Sequence, residues 1–559
     1  MGLSVPKKIL TARTLQSVVL LCCLSIAPLC FSKSLYTLRD EVQKIWQKKC
    51  IDCHNPNKKE QNFPISFQEK DLVESGRIHP GDAILSPLFQ SVDSGDMPPK
   101  HPLSNPEIQL IEEYILSLDH GKAQIRTPQT YYQDVLPLFH KRCFSCHNRS
   151  AKGYKSLPQF DTYELAVQWS KAIKDSVQKR RMPPWNNFEG SECRENKETR
   201  FLNSKERLSI LDWVDQGTKK GDPKAIPKRS PIKKVNIKTD IIAKMERPYT
   251  PPLTKTGDNY QCFILKIDHI DKTKPINPYL LIKGYEFTST NPNLIHHALV
   301  WTFSSRRSDD ANKIFQEFDN ATPEDGWDCI NDIFVVRKGI KRELVFGWVK
   351  GLTPKVLPKG TAIKIDNRNT VMVAQIHFNN TLIKGSNHTE VRMELAGRQE
   401  NLNGLVWHSV GYHEEGSSMP ARTSRVQKSE EGPLRVLLSE IASKKPIGQE
   451  RKWAKVYGTL GHMHYYGKQV ELSYKLGGKY KCLSCIDRWD VDWQESTYFK
   501  TPAILNLDDP FRVRCVFDTT RWHPAMGHVP TSPVIIGPLA KDEMCLMFML
   551  LSYHQSKPH

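Results

Sequence analysis

At 559 residues the chain has room for several domains, and a composition of 39% hydrophobic and 25% charged residues permits an ordinary core in each of them, which excludes a coreless chain. The formal net charge of +19 raises the question of nucleic acid. No nucleic-acid motif accompanies it, so we read a basic surface, one that suits an acidic redox partner or an anionic membrane better.

The first 32 residues have the form of a secretory signal. Lys7, Lys8 and Arg13 precede an apolar run from Val18 to Phe31, which Pro28 interrupts and which is short for a bilayer span. An uncleaved N-terminal anchor stays open beside cleavage. Of the 14 cysteines, Cys22, Cys23 and Cys30 fall in or beside this segment and four lie in two CxxCH motifs. Seven remain: Cys193, Cys262, Cys329, Cys482, Cys485, Cys515 and Cys545. Export permits disulfides among them, and the odd count leaves at least one outside any intrachain pair.

Residues 33–121 read as the first folded unit. A helical pattern from Leu38 to Lys49 leads into Cys50-Ile51-Asp52-Cys53-His54, the attachment motif of a c-type haem. Two thiols add to the haem vinyl groups and the adjacent histidine ligates the iron. Met97, in Gly95-Asp96-Met97-Pro98-Pro99, is the candidate second ligand, since two prolines stiffen its loop. A helix from Glu107 to Leu118 closes the unit, whose order of elements looks like a small cytochrome c domain.

Residues 128–222 repeat the plan. Cys143-Phe144-Ser145-Cys146-His147 follows the pattern Tyr131 to Phe139, Met182-Pro183-Pro184 supplies the methionine, and a helix from Ser204 to Val214 ends it. A repeat of this kind argues for two haems over a chance match or a redox dithiol. Histidine–methionine ligation leaves no open iron position, which favours electron transfer over a dihaem peroxidase. His79, His101, His120 and His140 read as surface residues, and Cys193 has no assigned role.

Residues 223–250 read as a basic spacer, with Lys224, Lys228, Arg229, Lys233 and Lys234 interleaved with prolines. From 251 onward short alternating strands predominate, punctuated by Gly, Pro, Asn and Asp. The expected fold class is therefore multidomain: two small all-α cytochrome c domains, then two all-β jelly-roll-like sandwiches at 251–422 and 423–559.

This β half carries a histidine pattern. Gly461-His462-Met463-His464-Tyr465-Tyr466-Gly467-Lys468 reads as a short strand, on which His462 and His464 share one face and Met463 takes the other. Two such imidazoles suit copper, zinc, iron or nickel about equally. His296 and His297 stand together in Asn293-Leu294-Ile295-His296-His297-Ala298, and they face one ion only if their strand twists or bulges. His377 lies in Gln375-Ile376-His377-Phe378 and Met544 in Asp542-Glu543-Met544-Cys545.

The order His-His, lone His, His-x-His, then Met in Glu-Met-Cys resembles the copper type II, ascorbate-dependent monooxygenases, a family that includes peptidylglycine α-hydroxylating and dopamine β-monooxygenases. The resemblance runs from about 255 to 559. It implies that His296, His297 and His377 bind an electron-storing copper, and that His462, His464 and Met544 bind the copper where dioxygen reacts and a substrate C–H bond is hydroxylated. It also implies a Cys515–Cys545 disulfide and facing sandwiches across a solvent cleft. Pairing of Cys262 with Cys329 is only a guess, and Cys482 and Cys485 match no assigned pattern.

Departures limit the resemblance. The arginine that binds substrate carboxylate in the peptide-amidating enzyme is replaced by Leu460, and an asparagine and a tyrosine of its pocket fall on Leu546 and Phe548. A neutral or apolar small molecule is therefore expected as substrate. His408, His413, His523 and His528 read as non-ligands.

The function expected is an exported copper monooxygenase holding two coppers and two c-type haems, with electrons relayed from an external donor through the haems to the His296, His297 and His377 copper and then to the Met544 copper. Its partners are dioxygen, an unidentified small molecule and an external donor: a redox protein, a quinol-linked carrier or an ascorbate-like reductant. The haems point by family resemblance to a bacterial periplasm, with secretion as the wider reading. The competing function is a dihaem electron carrier whose β-module binds copper without hydroxylating.

Overall fold

The computed structural model describes residues 35–558 with breaks, the longer of them at 55–66, 94–96, 99–102, 119–127, 150–157, 185–192, 197–201, 228–234, 254–257, 306–310, 322–325, 330–339, 350–353, 380–383, 439–447 and 538–540. The signal segment, part of the spacer, His101, His120 and His413 lie outside the described residues.

The N-terminal part is helical, with two separate apolar clusters. In the first, Leu35–Lys49 packs on Asn105–Ser117 through Val42, Trp46, Ile111 and Ile115. The latter helix starts at a capping box: the Glu107 carboxylate accepts the Ser104 amide at 2.7 Å and the Ser104 hydroxyl at 2.8 Å, satisfying groups a helix start leaves open. In the second cluster, Tyr131, Phe139, Ile210 and Trp213 are buried between Leu136–Arg142 and Ser204–Asp215. A further helix, Tyr163–Gln178, crosses this unit; the sequence reading did not anticipate it.

The rest is a pair of sandwiches joined by one sheet. In order across it lie Thr497–Asn506, Trp453–His462, Leu546–His554, Asn403–Gly411, Thr361–Asp366, Tyr279–Ser289, Thr389–Leu395, Ile241–Lys244 and Lys266–His269. Asn403–Gly411 is the joint. It pairs antiparallel with Leu546–His554 and parallel with Thr361–Asp366. A five-stranded sheet covers one half (Trp327–Asp328, Asp258–Ile264, Thr370–Asn379, Ile295–Ser305, Ile340–Val349), and a four-stranded sheet covers the other (Val426–Pro433, Pro510–Phe517, Gly467–Leu476, Lys479–Ile486). Alternating strands with one buried face account for both layers.

Several expectations shift. Ile241–Lys244, inside the expected spacer, is a paired strand. Asn403–Gly411 lies before the expected boundary at 422 yet pairs with the C-terminal strand, because a strand that bridges two units bears no sequence mark of it. The β half is not all strand: Ala311–Asn320 is a helix that packs Phe315 against Phe303, ring centres 4.4 Å apart. Leu460, Leu546 and Phe548 are buried in the core of the N-terminal sandwich, so they pack the two halves together instead of lining an open cleft.

The helical part is docked on this plate. Cys193 is disulfide-bonded to Cys482, and Arg194 donates from Nε and Nη2 to the carbonyls of Thr501 and Pro502, each at 2.8 Å. Asn196 forms a β-bridge with Phe499. From the first unit Asp93 accepts a hydrogen bond from Arg425, and the two helical units meet where Arg207 Nη2 donates to the Gly81 carbonyl at 3.0 Å. No described helix is long and apolar enough to cross a membrane.

Candidate metal centres

Both CxxCH motifs close one turn in the same way. The His54 amide donates to the Cys50 carbonyl at 3.0 Å and the His147 amide to the Cys143 carbonyl at 2.9 Å. That turn gathers two thiols and an imidazole, the arrangement covalent haem attachment needs. In the second unit Cys143, Cys146, His147, Met182, Pro183 and Trp169 line a pocket of about 190 Å³ that opens in part to solvent. His147 Nδ1–H donates to the Pro158 carbonyl at 2.7 Å and its ring stacks on Phe160, 4.7 Å between centres. The ring is thereby oriented with Nε2 left as the ligand, and burial lowers its pKa against the raising effect of the Pro158 carbonyl. These residues fit a c-type haem. In the first unit Met97 is 41% exposed and its amide donates to the Ser91 carbonyl at 2.9 Å, while the neighbouring 94–96 and 99–102 lie outside the described residues.

His296, His297 and His377 come together on two adjacent strands of the five-stranded sheet. His377 on Thr370–Asn379 pairs with His297, while Phe378 pairs with Ile295. His296 is the extra residue of a β-bulge, which turns both neighbouring imidazoles towards His377. Ring centres lie 4.7 Å (His296–His377) and 5.0 Å (His297–His377) apart. With metal–nitrogen bonds of about 2.0 Å, rings on one ion stand about 4.5–5 Å apart. His297 Nδ1 is buried with no hydrogen-bond partner among the described residues, and the Nδ1 atoms of His296 and His377 are buried beside it. A buried nitrogen without a proton partner suits a metal. Tyr260 stacks on His377 at 4.0 Å and 11°, fixing that ring.

The second set sits on the other sandwich. The strand Trp453–His462 stops at His462, and residues 463–466 form the connection to Gly467–Leu476. The expected strand through His464 is therefore a turn. Met463 is buried, and the two imidazoles still meet, ring centres 5.2 Å apart at 89°. His462 Nδ1–H donates to Gln494 Oε1 at 2.6 Å, and Gln494 Nε2 donates to the Val491 carbonyl at 3.1 Å, which orients the amide. His464 Nδ1–H donates to the Asp542 carbonyl at 3.0 Å. Both rings thus leave Nε2 for a metal, the opposite nitrogen from the one His297 offers.

Glu543 ties this turn to the methionine loop. Its buried carboxyl accepts the amides of His464 at 3.0 Å and Tyr466 at 2.5 Å. Burial pushes its pKa up to about 8, against the backbone N–H groups of Tyr466, His464 and Met544. Cys545 is disulfide-bonded to Cys515, so Met544 stands between two anchored residues. Burial lowers the pKa of His297 well below its ordinary value, with further lowering by His377, His296, His462 and His464. Among the described residues no three His, Cys, Asp or Glu side chains are gathered tightly enough to hold an ion as they stand. The ring spacing and the choice of nitrogen fit a metal ion that imidazole binds, copper among them.

Sequence reasoning missed Tyr260, Gln494, Glu543 and the Cys193–Cys482 bond. Glu543 adjoins the methionine and was visible as Glu-Met-Cys; the others had no local signal. Cys262 and Cys329 are disulfide-bonded, and Cys485 keeps its thiol, to which Gln469 Nε2 donates at 3.5 Å. His523 is buried against Tyr465 and Tyr466.

Residues 443–558 match the family described as copper type II ascorbate-dependent monooxygenase, C-terminal domain, and residues 50–101 match planctomycete cytochrome C. The first match takes in His462, His464 and Met544; the second takes in Cys50, Cys53, His54 and Met97. The set His296, His297 and His377 and the second CxxCH unit lie outside both. The matched families imply copper, haem, dioxygen and a reductant such as ascorbate. No curated protein matches the chain. Among solved structures it is similar to broad bean stain virus, at 8% identity and TM-score 0.22 over 58% of this chain and 93% of that one. It is also similar to the infectious bursal disease virus VP2 subviral particle, at 9% identity and TM-score 0.13 over 59% and 75%. Likenesses so slight bear no weight.

Proposed function

We propose that this chain, which joins a cytochrome c segment to a copper monooxygenase domain, hydroxylates a C–H bond of a small molecule with dioxygen, outside the cytoplasm, and takes its electrons through two c-type haems. The observation that carries the reading is the second histidine set. His462 and His464 lie 5.2 Å apart between ring centres, both with Nδ1 tied, beside the anchored Met544 and inside the matched domain.

The residues supply binding and orientation. His296, His297 and His377 would hold one copper, and His462, His464 and Met544 another. Copper there supplies one-electron chemistry and dioxygen activation, and a thioether favours the Cu(I) state. Gln494 and the Asp542 carbonyl hold the Nδ1 protons in place, fixing which nitrogen is presented. Cys50, Cys53, His54 and Met97 would hold one haem, and Cys143, Cys146, His147 and Met182 the second. The three disulfides fit an oxidising compartment, periplasmic or extracellular. Substrate polarity is no longer readable from Leu460, Leu546 and Phe548, because packing explains their apolar character.

Metal analysis tests this reading. Protein matured with haem and loaded with copper is expected to hold two irons and two coppers, and Met544→Ala to weaken one copper. Oxygen uptake matched to hydroxylated product completes the case. Two irons without copper would leave a dihaem carrier.

A further inference from the structure

We propose that Trp493 and Gln494 form an electron entry to the His462, His464 and Met544 set, so that electrons from the second haem pocket reach that set directly. The inference rests on the metal assignments just proposed. The cavity of the second CxxCH unit is lined by residues 139–184 with one exception, Trp493, which comes from the β half. The next residue, Gln494, is buried and accepts the His462 Nδ1 proton at 2.6 Å. Two consecutive residues and one hydrogen bond thus connect the wall of one cofactor site to a ligand of the other.

The contact is held in place. The Cys193–Cys482 disulfide, the Arg194 bonds to Thr501 and Pro502 and the Asn196–Phe499 bridge all fasten the second helical unit, and the last three lie on the strand Thr497–Asn506, which begins three residues after Gln494. A loosely tethered donor would need none of them. The step moves one electron and no proton: Fe(II) in the second haem pocket is oxidised to Fe(III), and Cu(II) at His462 is reduced to Cu(I). Trp493 and Gln494 are positioning residues, since neither ligates a metal.

The test uses full-length protein loaded with haem and copper, without oxygen. Ferrous haem is followed by its visible absorbance and Cu(II) by electron paramagnetic resonance, after metal content is measured on each sample. His377→Ala, which empties the first set, is expected to keep haem oxidation by the remaining Cu(II), and Met544→Ala to slow it. Trp493→Leu is expected to slow it severalfold with an unchanged haem spectrum, while Trp493→Phe, which keeps an aromatic wall, retains most of the rate. Loss of transfer in His377→Ala, or an unchanged rate in Trp493→Leu, would overturn the proposal while leaving the monooxygenase reading intact. Wild-type protein that takes up no copper would overturn both.

Discussion

The Glu543 carboxyl accepts the backbone amide of His464 at 3.0 Å, across 79 residues of sequence. A turn carrying a metal ligand is thereby fixed by the residue beside another ligand, Met544. Glu543→Ala leaves the buried amides of His464 and Tyr466 without an acceptor. Each such donor costs about 1–3 kcal/mol, so the variant is expected to lose about 2–5 kcal/mol of stability. Urea unfolding measures this, and copper analysis should show selective loss from the second set.

Burial at the first set predicts a pH dependence. His297 has its pKa lowered well below 6.5, chiefly by desolvation. In the unfolded chain it takes a proton near pH 6.5; in the folded chain it resists until the medium is more acidic. Below about pH 6.5 the unfolded state therefore binds more protons, and stability falls with falling pH. Metal-free protein unfolded in urea at pH 7.5 and 5.5 should show this slope, and His297→Asn should flatten it.

Tyr260 lies flat on His377, 4.0 Å between ring centres. Tyr260→Phe keeps the ring and should retain copper at the first set. Tyr260→Ala removes an interaction of about 0.5–1.5 kcal/mol beyond its buried area and frees the imidazole to turn. Weaker copper retention in the alanine variant alone is the expected result, read by competition with a chelator.

Leu546 and Phe548 separate a packed core from a lined pocket. As core residues, changed to Leu546→Asn or Phe548→Ser, they should destabilise the metal-free protein by about 2–4 kcal/mol. Wild-type unfolding midpoints in both variants would place them in a solvent-filled site.

Cys193→Ser should loosen the second helical unit without unfolding either partner, because each has its own apolar cluster. Faster proteolysis between 185 and 235, with an unchanged β-sheet circular dichroism signal, is the expected outcome.

Local patterns were legible and distant partners were not. The two CxxCH turns, the helices Leu35–Lys49 and Ser204–Asp215 and the need for a bulge at His296–His297 all follow from residues within a few positions of each other. His464 was misplaced on a strand because aromatic residues with β propensity continue through Tyr466, while the chain turns there on amides held by Glu543, 77 and 79 residues away. Gln494 could not be found from His462, since 32 residues separate them. The Cys193–Cys482 pair, 289 residues apart, joins units that the sequence reading kept separate. The basic composition around 223–250 hid Ile241–Lys244, which is a strand through its pairing with Thr389–Leu395.

Asn403–Gly411 bonds to one sandwich along each of its edges. A hinge between the halves would have to break that ladder, so the plate resists opening like a book. The spacing between the two histidine sets thereby becomes a fixed dimension of the fold, set once during folding and not with each turnover.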